Sequence, residues 1–178
     1  INLLNINGIK VIGVELGNEL FAFDDRHGIS YALNLFDTTD TSKLNTLISD
    51  ISIMKTTINN LHPGIKISVP VAKSGNKKYN RWNEEMLKLN TDAVSYHCYI
   101  DFGKELTQLK QYGGNIKRFA DTGKEVWVTE YNMQFNNSAT NQVNFLSENH
   151  INMVHNVMPK MLESNGATLI SSHSLWAN

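Results

Sequence analysis

Residues 13–20 read GVELGNEL, and residues 125–132 read EVWVTEYN. Each stretch opens as an apolar, β-branched run suited to a protein interior and closes on a carboxylate, Glu19 in the first and Glu130 in the second. An uncompensated buried charge is costly, so a core strand that delivers an acid to its C-terminal tip needs a reason. Two such strands in one chain point to a shared one.

Three more runs have the same character: IKISVPVA (65–72), DAVSYHCYI (92–100) and ATLISSHSL (167–175), while the first extends back to residue 9 as IKVIGVEL (9–16). Several are apolar at consecutive positions, as strands covered on both faces of a parallel sheet are. Helical spacing separates them. Leu44, Leu47, Ile48, Ile51, Ile58 and Leu61 predict a helix that Thr39, Asp40 or Thr41 can cap and Pro63-Gly64 ends. YNRWNEEMLKLN (79–90) predicts a shorter one. Leu106, Leu109, Tyr112, Ile116 and Phe119 predict a third, broken or kinked at Gly113-Gly114. Val143 through Met161 predict a long last helix, kinked at Pro159. HPGIK, NTDA, DTGKE and SNGA supply short turns into the later strands. The order β-α-β-α-β-α-β-α-β is α/β with parallel strands, in one domain without linker or low-complexity tract. Residues 20–40 form a long excursion after the first strand, where α/β proteins place binding surfaces.

Composition narrows the function. The chain has 178 residues, 41% hydrophobic and 19% charged, with net charge -1. That is enough apolar material for a core and lacks the basic footprint of a nucleic-acid binder. Cys98 is the only cysteine, which excludes an internal disulfide and a thiolate zinc cluster. No stretch approaches the roughly 18 to 20 apolar residues of a membrane span. The chain opens on Ile1, so its natural start is expected upstream and the lack of a signal peptide carries no information.

Polar residues gather at the C-terminal ends of the predicted strands: Asn18 and Glu19, Lys73 and Ser74, His97 and Tyr99, Glu130 to Asn132, then His173 and Trp176. In parallel α/β sheets and barrels those ends share the face that holds the active site. Singly, each has a plainer reading. A glutamate after a strand is usually a loop acid, His97 a hydrogen-bonded core histidine, Trp176 packing. Glu15 and Glu125 read as structural, and Asp24, Asp25, Glu84 and Glu85 as solvated charge. Two strand-end glutamates, each with an asparagine close by, outweigh the plain reading. Opposed carboxylates without metal-ligand spacing fit glycoside hydrolysis, which needs a proton donor for the leaving oxygen and an anion facing the oxocarbenium carbon. Their environments must then hold one protonated and the other ionised.

ELGNEL and WVTEYN resemble the two catalytic motifs of the clan of retaining (β/α)8-barrel glycoside hydrolases, with an acid/base Glu after Asn on strand 4 and a nucleophilic Glu on strand 7. IKISVPVA and DAVSYHCYI supply the two strands that this clan has between them. The resemblance implies that Glu19 is the acid/base, that Asn18 holds the sugar's 2-hydroxyl and that Glu130 is the nucleophile. It implies that His97 and Tyr99 line the catalytic subsite, one or other hydrogen-bonded to the nucleophile. It further implies that Trp176 floors the subsite and, less directly, that His173 joins it. GVELGNE, DAVSYHCY and WVTEYN together resemble the arabinofuranosidase-, agarase- and glucuronidase-like branches. The implied fold is the C-terminal part, about strands 4 to 8, of a TIM (β/α)8 barrel that runs to about 250 residues when complete. Strands 1 to 3 are missing from residues 1–178, so the remaining N-terminal part of the barrel is expected elsewhere. The implied enzyme cleaves a polysaccharide or oligosaccharide by double displacement, uses no cofactor or metal, and is secreted or periplasmic. Two rival readings are a non-catalytic carbohydrate-binding barrel, which has no need of both glutamates, and a metal-assisted barrel enzyme using His97, His173 and the glutamates.

Overall fold

The computed structural model describes residues 1–20, 42–75, 77–134 and 147–172. His173, Trp176, all of the 20–40 excursion except Leu20, and the Val143 and Leu146 positions of the last helix lie outside the described residues. The described elements are α1 (Asn2–Ile6), β1 (Gly13–Glu15), α2 (Ser42–Leu61), β2 (Lys66–Val71), α3 (Lys77–Lys88), β3 (Ala93–Asp101), α4 (Glu105–Ala120), β4 (Glu125–Gln134), α5 (Glu148–Asn152), a π-helical turn (Met153–Val157), α6 (Met158–Ser164) and β5 (Ala167–Ser172). Strand order in the sheet is chain order, β1-β2-β3-β4-β5. The fold is α/β, and that succession is compatible with part of a barrel. The chain divides into two compact units, Ile1–Val94 and Ser95–Asn178.

In the first unit β1 pairs in parallel with β2, Val14 beside Ile67 and Glu15 beside Ser68. The first strand is much shorter than the 9–16 run suggests: Ile9 and Ile12 are 54% and 59% exposed and precede it. Ile67, Val69 and Val71 of β2 are buried with Trp82 and Met86 of α3. Trp82 ties the two elements, its Nε1 donating to the Pro70 carbonyl at 2.8 Å. Asn83, fully buried beside it, closes both backbone groups of Ala72: its Oδ1 accepts from the Ala72 N–H at 2.7 Å and its Nδ2 donates to the Ala72 carbonyl at 2.8 Å. One amide thus fixes the chain where β2 ends. At the other end Asp92 donates its N–H to the Ile67 carbonyl and accepts the Ile67 N–H on Oδ2, which sets where β3 begins.

In the second unit Tyr96, Cys98 and Ile100 of β3 are buried, together with Tyr112, Ile116 and Phe119 of α4. Tyr96 packs edge-on against Phe119, ring centroids 5.5 Å apart, and its hydroxyl accepts from Asn115 Nδ2 at 2.8 Å. Burial pushes the Tyr96 phenol well above its ordinary pKa, so it stays a neutral packing group. The expected break at Gly113-Gly114 is absent, and α4 runs through both. Gly113 serves close approach instead: a Cβ there would stand 3.0 Å from Asn165 Nδ2. The last helix does change pitch near Pro159, which lies in the first turn of α6 directly after the π-helical turn. Ser147 caps α5, its side chain accepting from the His150 N–H at 3.2 Å.

Among the described residues no helix is long and apolar enough to cross a membrane, and no three His, Cys, Asp or Glu side chains gather closely enough to hold a metal ion.

Asn83→Leu leaves two buried backbone groups of Ala72 without partners and is expected to cost about 2–4 kcal/mol, read from urea unfolding. An unchanged urea midpoint would contradict that role. Burial first, then the neighbouring His155, pushes the pKa of the buried His150 down. The unfolded chain therefore takes up that proton more readily than the folded one. The stability tied to neutral His150 is complete above about pH 6.5 and is lost as pH falls through the lowered folded value. Between about pH 7.5 and about pH 5 the native protein should lose more urea stability than His150→Gln; equal losses would contradict it.

Candidate active site

β3 and β4 carry the centre of the site. Even-numbered residues of β3 from Tyr96 to Ile100 are buried, whereas His97, Tyr99 and Asp101 alternate with them and keep partial exposure. This is the period-two pattern of a strand with two different faces. β4 and β5 pair in parallel, Val128 beside Ile170 and Tyr131 beside Ser172, with a register shift between. Three residues of β4 thus advance against two of β5, and Thr129 and Glu130 occupy the irregularity. Such bulges re-aim a side chain beside active sites.

The Tyr99 hydroxyl donates to Glu130 Oε2 at 2.5 Å, and His97 Nδ1 lies 3.5 Å from the same oxygen. The His97 side chain is 7% exposed and that of Glu130 26%, so the glutamate is largely sheltered yet keeps some contact with solvent. A hydrogen bond to an ionised carboxylate is among the stronger kinds, and here it also fixes the carboxylate's rotation. Of the two residues that the sequence left open as Glu130's partner, Tyr99 makes the short bond. Tyr112 supports it from behind, its hydroxyl donating at 2.7 Å to the Tyr99 carbonyl. The helical pattern marks Tyr112 only as apolar. Its signal was the hydroxyl, which leucine or phenylalanine at the same position would lack.

The residues flanking Glu130 play other parts. Tyr131 is buried, and burial followed by the Glu163 carboxylate of α6 pushes its phenol pKa up, so it remains protonated. Asn132 is buried and accepts the Met133 N–H on its own Oδ1 at 2.8 Å. Glu125, read as structural, accepts the indole N–H of Trp127 at 3.0 Å.

Asn18 and Glu19 belong to the first unit. The Leu16 N–H still donates to the Ser68 carbonyl at 2.9 Å, after which the chain turns away from β2. Gly17 has φ +93°, and a Cβ there would come within 2.4 Å of Leu20 Cδ1. Asn18 is exposed and Glu19 half-buried. Glu19 has φ +45°, the only non-glycine residue with positive φ among those described. A left-handed glutamate costs on the order of 1–3 kcal/mol, and strain of that kind collects at functional sites.

The model of the family described as glycosyl hydrolase catalytic core matches residues 39–168. That span includes His97, Tyr99 and Glu130, whereas Asn18, Glu19, His173 and Trp176 fall outside it. No curated protein and no solved structure matches the chain.

Tyr99→Phe removes the hydroxyl that donates to Glu130 and keeps the aromatic ring. Hydrogen bonds to charged groups contribute about 1.5–3 kcal/mol, so kcat for glycoside cleavage is expected to fall roughly 10- to 100-fold with the fold intact. Steady-state kinetics on an aryl glycoside check this, and a kcat within twofold of native would contradict the role.

Proposed function

The chain belongs to the glycosyl hydrolase catalytic core family and is a glycoside hydrolase, and we propose that it cleaves an oligosaccharide or polysaccharide with retention of configuration, Glu130 being the nucleophile and Glu19 the acid/base. The observation that carries this reading is the seating of Glu130: a largely sheltered glutamate at the end of a core strand, its carboxylate rotationally fixed by Tyr99 and flanked by His97. A general surface acid needs no such support, whereas a nucleophile needs its attacking oxygen aimed.

In the first step Glu130 attacks the anomeric carbon as protonated Glu19 gives its proton to the departing oxygen, leaving a glycosyl ester on Glu130. Attack through Oε1 turns Oε2 into the ester carbonyl, and the Tyr99 hydrogen bond stays on that oxygen. In the second step ionised Glu19 takes a proton from water, water attacks the same carbon, and negative charge returns to the Glu130 carboxylate. Tyr99 stabilises that returning charge, so it aids release of the sugar as well as its capture. Asn18 is assigned to the 2-hydroxyl, and Trp176 and His173 to the sugar's faces and edges, on the strength of the resemblance of their motifs alone.

The reading includes the TIM barrel, of which the five strands form about strands 4 to 8. Ile6, Ile9 and Ile12, exposed before the edge strand β1, support further strands of the same barrel covering them. Secretion or a periplasmic location is part of the same proposal.

Glu130→Gln is expected to abolish glycoside cleavage while leaving the circular-dichroism spectrum unchanged; activity above a few per cent of native would remove Glu130 from the nucleophile's role. Glu19→Ala should cleave aryl glycosides with good leaving groups far better than natural linkages, because such groups leave without protonation. Equal losses on both would count against the acid role. Proton NMR of the fresh product should show the substrate's own anomer first.

A further inference from the structure

Three buried side chains of α4 meet β3 with polar groups, where a helix that merely covers a sheet needs apolar ones. Gln108, Tyr112 and Asn115 follow one another at i, i+4 and i+7, the spacing of a single helix face, and all three are buried. Burying an amide or a phenol costs stability unless it finds a partner, a cost that leucine or phenylalanine would not incur. Each of the three finds its partner on β3. The Gln108 side chain accepts the Asp101 N–H at 2.6 Å and donates to Asp101 Oδ2 at 3.0 Å. The Tyr112 hydroxyl donates to the Tyr99 carbonyl at 2.7 Å, and Asn115 Nδ2 donates to the Tyr96 hydroxyl at 2.8 Å.

The choice of partners has a pattern. The Tyr99 carbonyl and the Asp101 N–H belong to the two peptide units that flank Ile100, a fully buried residue. Two bonds from one helix thus grip the β3 backbone on either side of one residue. A strand gripped at two successive peptide units neither slides along its axis nor rolls about it. Tyr99 stands directly before that grip, and its hydroxyl donates to Glu130 Oε2 at 2.5 Å. Hydrogen bonds weaken steeply as their geometry drifts, so a small shift of β3 is felt at Glu130. Apolar packing is non-directional and leaves a strand free to make such a shift, whereas these bonds oppose it.

We infer that Gln108 and Tyr112 are positioning residues of the glycoside-cleaving site, together holding β3 so that the Tyr99 hydroxyl stays on the Glu130 carboxylate; this rests on the reading of Glu130 as the nucleophile. Neither performs a step at the reacting carbon. Both act through Tyr99.

The test is a double-mutant cycle on the intact protein, read by steady-state kinetics on the para-nitrophenyl arabinofuranoside, galactopyranoside and glucuronide. In the native background Gln108→Leu and Tyr112→Phe should each lower kcat roughly three- to tenfold, with KM within about twofold of native. In the Tyr99→Phe background the hydroxyl that they position is gone, and each should lower kcat by less than about twofold further. Tyr112→Phe keeps its ring, so it carries the test by itself if circular dichroism shows Gln108→Leu poorly folded. Equal losses in both backgrounds would mean that α4 acts through fold stability alone. An unchanged kcat, or a loss confined to KM, would mean that Tyr99 needs no such hold. Any of these results overturns the inference and leaves the glycosidase reading standing. Undiminished activity of Glu130→Gln on the same substrates would instead remove the nucleophile reading, and the inference with it.

Discussion

The hydrogen bond from the Tyr99 hydroxyl to the Glu130 carboxylate is the interaction on which the chemistry proposed for the second unit turns. It requires β3 to present Tyr99 on its half-exposed face, which follows from Tyr96, Cys98 and Ile100 being buried on the other. It requires Tyr99 not to slide, which the Tyr112 hydroxyl prevents by holding the Tyr99 carbonyl. It also requires β4 to turn Glu130 out of strict register with β5, which the irregularity at Thr129 and Glu130 allows. Packing of α4 and pairing of β4 are thus both directed at one carboxylate.

The first unit arrives at its own acid differently. β2 is closed at its end by Asn83 and held at its start by Asp92, so the sheet there is pinned on both sides. β1 spans only Gly13–Glu15, and the chain then bends through Gly17 into a left-handed Glu19. Backbone strain at an acidic residue is hard to explain by stability, because glycine or asparagine would occupy that conformation at lower cost. The acid/base role proposed for Glu19 would require a carboxylate at that point.

Much of this was legible in the sequence. Consecutive apolar runs identify β2 to β5 because parallel strands are covered on both faces, and the 3–4 spacing identifies α2 and α4. The pairing of Glu130 with a residue of DAVSYHCYI was visible from the motif, down to two candidates. What stayed hidden depends on contacts between distant positions. Gly113-Gly114 read as a break, because a local pattern cannot show that Asn165 packs where a Cβ would be. The bulge at Glu130 is a property of two strands together, so neither sequence alone carries it. Tyr112 and Gln108 look like ordinary helix positions until the strand end they hold is known. The 9–16 run overstated β1, since apolar residues exposed before a short edge strand share the composition of a buried one.

The most direct test is mass spectrometry of the intact protein after exposure to activated 2-deoxy-2-fluoro glycosides, which slow release of a covalent intermediate more than its formation. The expected result is a stable adduct of one sugar, mapped by proteolysis to the peptide bearing Glu130 and absent from Glu130→Gln. Turnover without any adduct, accompanied by inverted product, or an adduct on another residue, would contradict Glu130 as the nucleophile.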